Sequence, residues 1–280
     1  MAGAIDIWCN MFTPEGIRKY FLEPEGIRFA FKLFGREHHL VGHPVEEFTS
    51  MLDEAGVEKV LIPSFKVTRY RGEMLQNCPT EEVAQVVSQA PDRLIGIVGI
   101  NPFRVMEAVR ELEKGVKEYG FKGALIHPYG YGEPLNHRMY YPIYAKCCEL
   151  DVPVMMQVGH SAERMPSIVG HPIHIDDIAL DFPELRIIGA HTGWPWTEVM
   201  IAMSWKHPNV YIGTTAHAPR YWEPTLVRFI NTRGRDKVLF GTDYPVLLHK
   251  ECLTQIADLA LREESKVKLL QENAIRVFKL

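Results

Sequence analysis

The sequence predicts an α/β chain folded as a single (β/α)₈ barrel, and three observations predict it. From about residue 57 onward, short β-branched runs alternate with longer segments of helical period. The runs are apolar on both faces, as parallel strands covered by helices require. The 280 residues suit a barrel of this kind, usually about 250 residues long. An open doubly wound sheet fits less well, because no strand is followed by a GxGxxG turn.

Eight runs read as strands: AIDIW (4–8), EKVLIPS (58–64), RLIGIVGI (93–100), KGALIHP (122–128), VPVMMQVG (152–159), RIIGAH (186–191), NVYIGTT (209–215) and KVLFGTD (237–243). Between them, PVEEFTSMLDEAG, TEEVAQVVSQA, VMEAVRELEKGVKEYG, YYPIYAKCCEL, WTEVMIAMSWK and EPTLVRFINTRG carry the apolar spacing of amphipathic helices. Residues 11–43 form one long connection after the first strand, rich in aromatics and ending in REHHLVGHP. An insertion there is expected to lie over the active-site face as a lid, or to form a dimer contact. With no repeat, low-complexity tract or linker, residues 1–280 are expected to form one domain.

Composition narrows the function classes. The chain is 46% hydrophobic and 24% charged, with a formal net charge of -4, which gives no basic footprint for nucleic acid. No window approaches 18 apolar residues, and no basic segment followed by an apolar run opens the sequence, so neither a membrane span nor a secretory signal is expected. A cytoplasmic protein acting on a small molecule is the expectation. Five cysteines without a CxxC pair argue against a disulfide framework or a zinc ribbon.

In such a barrel the chemistry sits at the C-terminal ends of the strands. Those ends carry Asp6, Trp8 and Asn10, then His127 and Tyr129, then Gln157 and His160, then His191, then His217, Arg220 and Tyr221, and finally Asp243. Taken singly, a strand-end histidine is as often a satisfied core residue, and Asp243 is placed to cap the next helix. Four histidines, two acids and an arginine converging by topology point to a pocket.

The segments LFGTDYP, IIGAHTGWPW, DIALDFPELRIIGAH and HPYGYGEPLNHRMYYPIYAKCCELDVPVMMQVGH resemble the amidohydrolase-related (amidohydrolase 2) family. Within it they are most similar to the aminocarboxymuconate semialdehyde decarboxylase branch. The resemblance runs from the first strand to the eighth. It implies a barrel with one divalent metal, commonly zinc, held by an HxH pair on strand 1, a histidine after strand 5 and an aspartate on strand 8. It also implies a strand-6 histidine as acid/base catalyst, and decarboxylation or hydrolysis of small carboxylated aromatic or unsaturated compounds.

Carried over, the strand-8 acid falls on Asp243 and the catalyst on His191, while the HxH pair falls on Trp8 and Asn10 and the strand-5 ligand on Gln157. An indole is a donor only and neutral amides are weak ligands for zinc, so the expectation is a site without a cofactor, in which His191 and Asp243 form the acid/base pair. Zinc in a rearranged site is the alternative, with Asp243 and His191 as its ligands and His127, His160 and Cys9 as further donors. Trp8, Asn10, His127, Tyr129, Gln157, His160, His217, Arg220 and Tyr221 are expected to bind the substrate, with Arg220 holding a carboxylate. A barrel that has lost its metal and only binds a metabolite or a protein partner is the competing reading. The family's frequent dimers make a homodimer the default.

Overall fold

Eight parallel strands run in chain order around one sheet, each hydrogen-bonded to the next. In the computed structural model, which describes residues 3–280, they are β1 (Ala4–Asp6), β2 (Val57–Ser64), β3 (Leu94–Gly99), β4 (Ala124–Ile126), β5 (Val154–Gln157), β6 (Ile187–Ala190), β7 (Val210–Gly213) and β8 (Val238–Leu239). All eight expected strands are present, seven of them trimmed at their ends and β2 begun one residue earlier. Side chains are buried along nearly all of each strand, which is why the runs show no polar alternation.

The outer ring consists of α1 (Val45–Ala55), α2 (Thr80–Val87), α3 (Val105–Tyr119), α4 (Tyr141–Glu149), α5 (Ile175–Asp181), α6 (Thr197–Lys206), α7 (Pro224–Ile230) and α8 (His249–Asp258). Gly56 and Gly120 end α1 and α3 in the left-handed conformation, at φ 80° and 71°, which glycine adopts without steric cost.

The first and last strands meet just beyond their ladders. Ile7 N donates to Phe240 O (3.1 Å), Asp243 N to Trp8 O (2.8 Å) and Asn10 N to Tyr244 O (2.8 Å), with a parallel bridge between Cys9 and Tyr244. Asp6 is fully buried beneath this seam. It accepts from Trp8 N, Thr242 N and His249 Nε2, each at 2.9 Å, and from the Thr242 hydroxyl. Asp6 was expected to join Trp8 and Asn10 at the site; instead it binds β1, the end of β8 and α8 together.

The long connection after β1 folds into short helical segments, including Pro14–Ile17 and Glu25–Leu33. Thr13 caps the first by accepting from Gly16 N. The Tyr20 hydroxyl donates to Glu82 Oε2 at 2.7 Å, and His39 Nδ1 donates to Pro245 O at 2.9 Å. These bonds fix the connection to α2 at one end and to the exit of β8 at the other. A two-stranded antiparallel hairpin, Lys66–Thr68 with Met74–Asn77, follows β2 and was not anticipated. Among the described residues no helix is long and apolar enough to cross a membrane, and all five cysteines are free.

Candidate active site

A cavity of about 520 Å³ opens at the C-terminal end of the barrel. Trp8, Asn10, His127, Gln157, His160, His191, His217, Tyr221 and Asp243 all line it. Two expected members do not. Tyr129 is fully buried behind the wall, where its hydroxyl donates to Gly159 O (3.1 Å) and its ring meets His127 edge-on. The chain turns after β4 at Pro128, so strand alternation no longer governs where residue 129 points. Arg220 is exposed, with its guanidinium over the Tyr221 ring at 4.9 Å, and cannot hold a carboxylate in the cavity.

The strand ends are held in unusual backbone conformations. His191, Ala216 and Asp243, just past β6, β7 and β8, have φ of 60°, 62° and 60°. Left-handed conformation at non-glycine residues is costly and persists where the surroundings enforce it. At Gly159, where φ is 100°, a Cβ would lie 2.3 Å from Trp194 O, so only glycine lets the β5 loop approach that chain closely.

A chain of hydrogen bonds crosses the barrel mouth. Trp8 Nε1 donates to Asn10 Oδ1 (3.0 Å), and Asn10 Nδ2 donates to Asp243 Oδ1 and Tyr244 O, both at 2.8 Å. Gln157 Nε2 lies 2.7 Å from His191 Nε2, and His191 Nδ1 lies 2.7 Å from Thr215 Oγ1. Because an amide nitrogen only donates, His191 Nε2 is the acceptor and Nδ1 carries the hydrogen toward Thr215. Trp8 lies beside His191, ring centroids 5.0 Å apart.

Burial disfavours the charged form of both expected catalysts. Burial, reinforced by the neighbouring His217, lowers His191 to about 3. Burial also lifts the Asp243 carboxyl well above the usual range against the Asn10 bond, helped by the charges of Asp6 and Glu163, although part of the residue faces the cavity. His191 and Asp243 were expected to act together as an acid/base pair. The site instead presents a free-base imidazole and a carboxyl pushed toward its neutral form, a separation of roles that environment alone can impose.

Several lining residues escaped the strand-end reading. Phe21, Ile27, Phe31 and Arg36 come from the connection after β1, Phe65 and Gln76 from the β2 hairpin region, and Glu163 from the loop after β5. Arg36 is the only lysine or arginine lining the cavity among the described residues. Its Nη1 lies 3.4 Å from His39 Nε2, on the imidazole whose other nitrogen is bound to Pro245 O. The aromatic richness of residues 11–43 was the available signal; nothing local marked Glu163.

Residues 26–280 match the amidohydrolase family, so the chain belongs to that family. It is an enzyme of that family. It is 26% identical over 235 residues to 2-amino-3-carboxymuconate-6-semialdehyde decarboxylase of Dictyostelium discoideum, covering 70% of this chain and 64% of that one. Gamma-resorcylate decarboxylase of Polaromonas sp. is 25% identical over 82% of this chain and 86% of its own. A 2-keto-4-carboxy-3-hexenedioate hydratase of Sphingobium sp. is 34% identical over 58% and 55%.

Among solved structures, an uncharacterized TIM-barrel protein of Bordetella bronchiseptica superposes with a TM-score of 0.81 at 22% identity, covering 99% of this chain and 98% of that one. The 5-carboxyvanillate decarboxylase of Novosphingobium aromaticivorans, solved with manganese and 4-hydroxy-3-methoxy-5-nitrobenzoic acid, superposes with a TM-score of 0.75 at 20% identity over 99% and 96%.

That manganese corrects the expectation of a site without a cofactor: a divalent metal accompanies this fold in a decarboxylase. The side chains here fit such an ion poorly. Among the described residues no three His, Cys, Asp or Glu side chains group closely enough to hold a metal. Asn10 is committed to Trp8 and Asp243, and the indole has no lone pair to offer. Gln157 Oε1 is the buried oxygen left without a partner. Manganese accepts oxygen ligands, but one amide oxygen and one carboxylate fall short of a protein-built site.

Proposed function

We propose that this enzyme removes the carboxyl group from a small planar carboxylated aromatic or unsaturated acid. The observation that carries the reading is the coexistence, in one cavity walled by Trp8, Phe31, Phe65 and Trp194, of the Asp243 carboxyl, held by Asn10 and pushed by burial toward its neutral form, and a free-base imidazole at His191. The substrate plane lies against the Trp8 indole. Arg36 holds the carboxylate at the cavity edge. Asp243 delivers its proton to the carbon bearing that carboxylate, a C–H bond forms, the C–C bond breaks with its electron pair returning to the substrate, and carbon dioxide leaves. His191 Nε2 exchanges the Gln157 amide hydrogen for a hydrogen bond from an acidic substituent beside that carbon, which enriches the carbon in electrons and favours its protonation.

The connection over residues 11–43 roofs this cavity through Phe21, Ile27 and Phe31. A roof of this kind excludes water and strengthens each polar contact beneath it. The decarboxylase names among the relatives support the reaction class.

The test is carbon dioxide release from hydroxybenzoates and carboxylated dienoic acids, run with manganese added and with chelator. Release by the wild type and its loss in Asp243→Asn are expected. A hydratase relative at 34% identity favours a second reading, in which an unsaturated acid gains water with no carbon dioxide released; that product would replace the first reading.

A further inference from the structure

The wall facing Asp243 holds a polar cluster for which the proposed reaction has no use. His127 stands at the end of β4, four strands around the barrel from β8. Its side chain is 6% exposed; its Nε2 faces Glu163 Oε1 at 3.4 Å, an ion-pair distance without hydrogen-bond alignment, and its Nδ1 has no hydrogen-bond partner. Leaving a buried nitrogen unpaired costs about 1–3 kcal/mol. An unpaired imidazole nitrogen on a residue that lines a cavity calls for a partner the protein itself does not supply.

The cluster is rigidly built. Glu163 Oε2 accepts from the Ser161 hydroxyl at 2.8 Å, and the His127 ring is braced edge-on by Tyr129, itself tied to Gly159 O. Burial acts to raise the Glu163 carboxyl, but the His127 charge and the local hydrogen bonds outweigh it and hold the group at about 2, so it is ionised at neutral pH. The other imidazoles nearby, His160 and His217, are pushed by burial toward their neutral forms.

We propose that His127 and Glu163 form a second subsite that binds an uncharged hydroxyl or carbonyl substituent at the end of the substrate remote from its carboxylate. The assignment rests on the decarboxylase reading for the orientation of the substrate. His127 supplies the hydrogen bond; Glu163 orients the ring and, as an anion, repels a second carboxylate. The class selected is a hydroxylated monocarboxylic acid, with dicarboxylic acids of the same shape rejected.

Binding of unreactive probes tests this without turnover. Benzoate, 3- and 4-hydroxybenzoate, isophthalate and terephthalate would be titrated calorimetrically into the full chain and into His127→Gln, Glu163→Gln and His127→Phe/Glu163→Leu variants. At least one hydroxybenzoate is expected to bind the wild type about tenfold or more tightly than benzoate, the size of one charge-assisted hydrogen bond. That advantage should vanish in the double variant, and the dicarboxylates should gain affinity on Glu163→Gln. The gain guards against misfolding, since an unfolded protein gains nothing. Equal binding of benzoate and both hydroxybenzoates, unchanged dicarboxylate affinity in Glu163→Gln, or no binding of any probe at millimolar concentration would overturn the subsite. If hydroxyl selectivity appears and depends on His127 while no acid releases carbon dioxide, the subsite stands and the decarboxylase reading falls.

Discussion

Asn10 Nδ2 lies 2.8 Å from Asp243 Oδ1, so an amide from the first strand of the barrel holds the carboxyl group carried by the last. The same nitrogen reaches Tyr244 O, and the amide oxygen takes the Trp8 indole hydrogen. Three parts of the site are thus oriented by one side chain. Asn10→Ala leaves the indole and the Tyr244 carbonyl without that partner and is expected to cost about 1–3 kcal/mol, or roughly 2–10 °C of melting temperature. Turnover should fall as well, and calorimetry with kinetics on one preparation would show both.

His191→Asn keeps approximate size while removing the basic Nε2. We expect kcat to drop by about 10² to 10⁴ with the fold intact. A core role for His191 would give the opposite pattern, a lower melting temperature with turnover per folded molecule unchanged, and comparing the two measurements distinguishes them.

The two arginines separate cleanly. Arg36→Ala is expected to raise KM about 10- to 100-fold with a smaller effect on kcat, as loss of a charge-assisted contact does. Arg220→Ala, at an exposed position, should leave both constants within about twofold. Steady-state kinetics on the pair would overturn the assignment if the order were reversed.

Glu163 gives stability a pH dependence of definite sign. Its folded-state value of about 2 lies below the ordinary 4.5, so the carboxylate stabilises the fold fully above about 4.5 and progressively loses that contribution as pH falls toward 2. The loss amounts to a few kcal/mol. Melting temperature measured from pH 6 to pH 2.5 should decline less steeply in Glu163→Gln than in the wild type, and parallel curves would refute the assignment.

Asp6 makes no contact with the cavity, yet four donors converge on it, one of them His249. Asp6→Asn removes acceptor capacity and leaves buried donors unpaired. A cost of about 3–5 kcal/mol is expected, seen as a shift of the urea midpoint without a change in slope.

These residues also show what the sequence discloses. Strand alternation and barrel topology place Trp8, Asn10, Gln157, His191 and Asp243 in one cavity, because within or just beyond a strand the backbone dictates direction. Asp6 departs from that logic: its alternation is correct, but the donors around the seam, invisible in the local sequence, draw it into the wall. Glu163, Arg36 and Phe31 lie on connections, whose course depends on tertiary contacts such as His39 with Pro245 and Tyr20 with Glu82. Tyr129 and Arg220 fail for the same reason: the first follows the turn at Pro128, the second lies on a connection well past the end of β7, and neither is held in strand direction by seam hydrogen bonds such as those at Asn10 and Asp243.

The barrel closes through a few hydrogen bonds between residues 7–10 and 240–244 rather than a continuous ladder, and those residues carry Trp8, Asn10 and Asp243. Loosening that seam in denaturant would dismantle the proton donor while the helices and the other seven strand pairings remain. Activity should therefore disappear at lower urea concentration than far-ultraviolet ellipticity, and amide exchange at Ile7, Asn10 and Asp243, whose N–H groups cross the seam, should be the fastest in the sheet. Bound substrate, by bridging Asp243 to the opposite wall, would act as a clasp and bring the two transitions together.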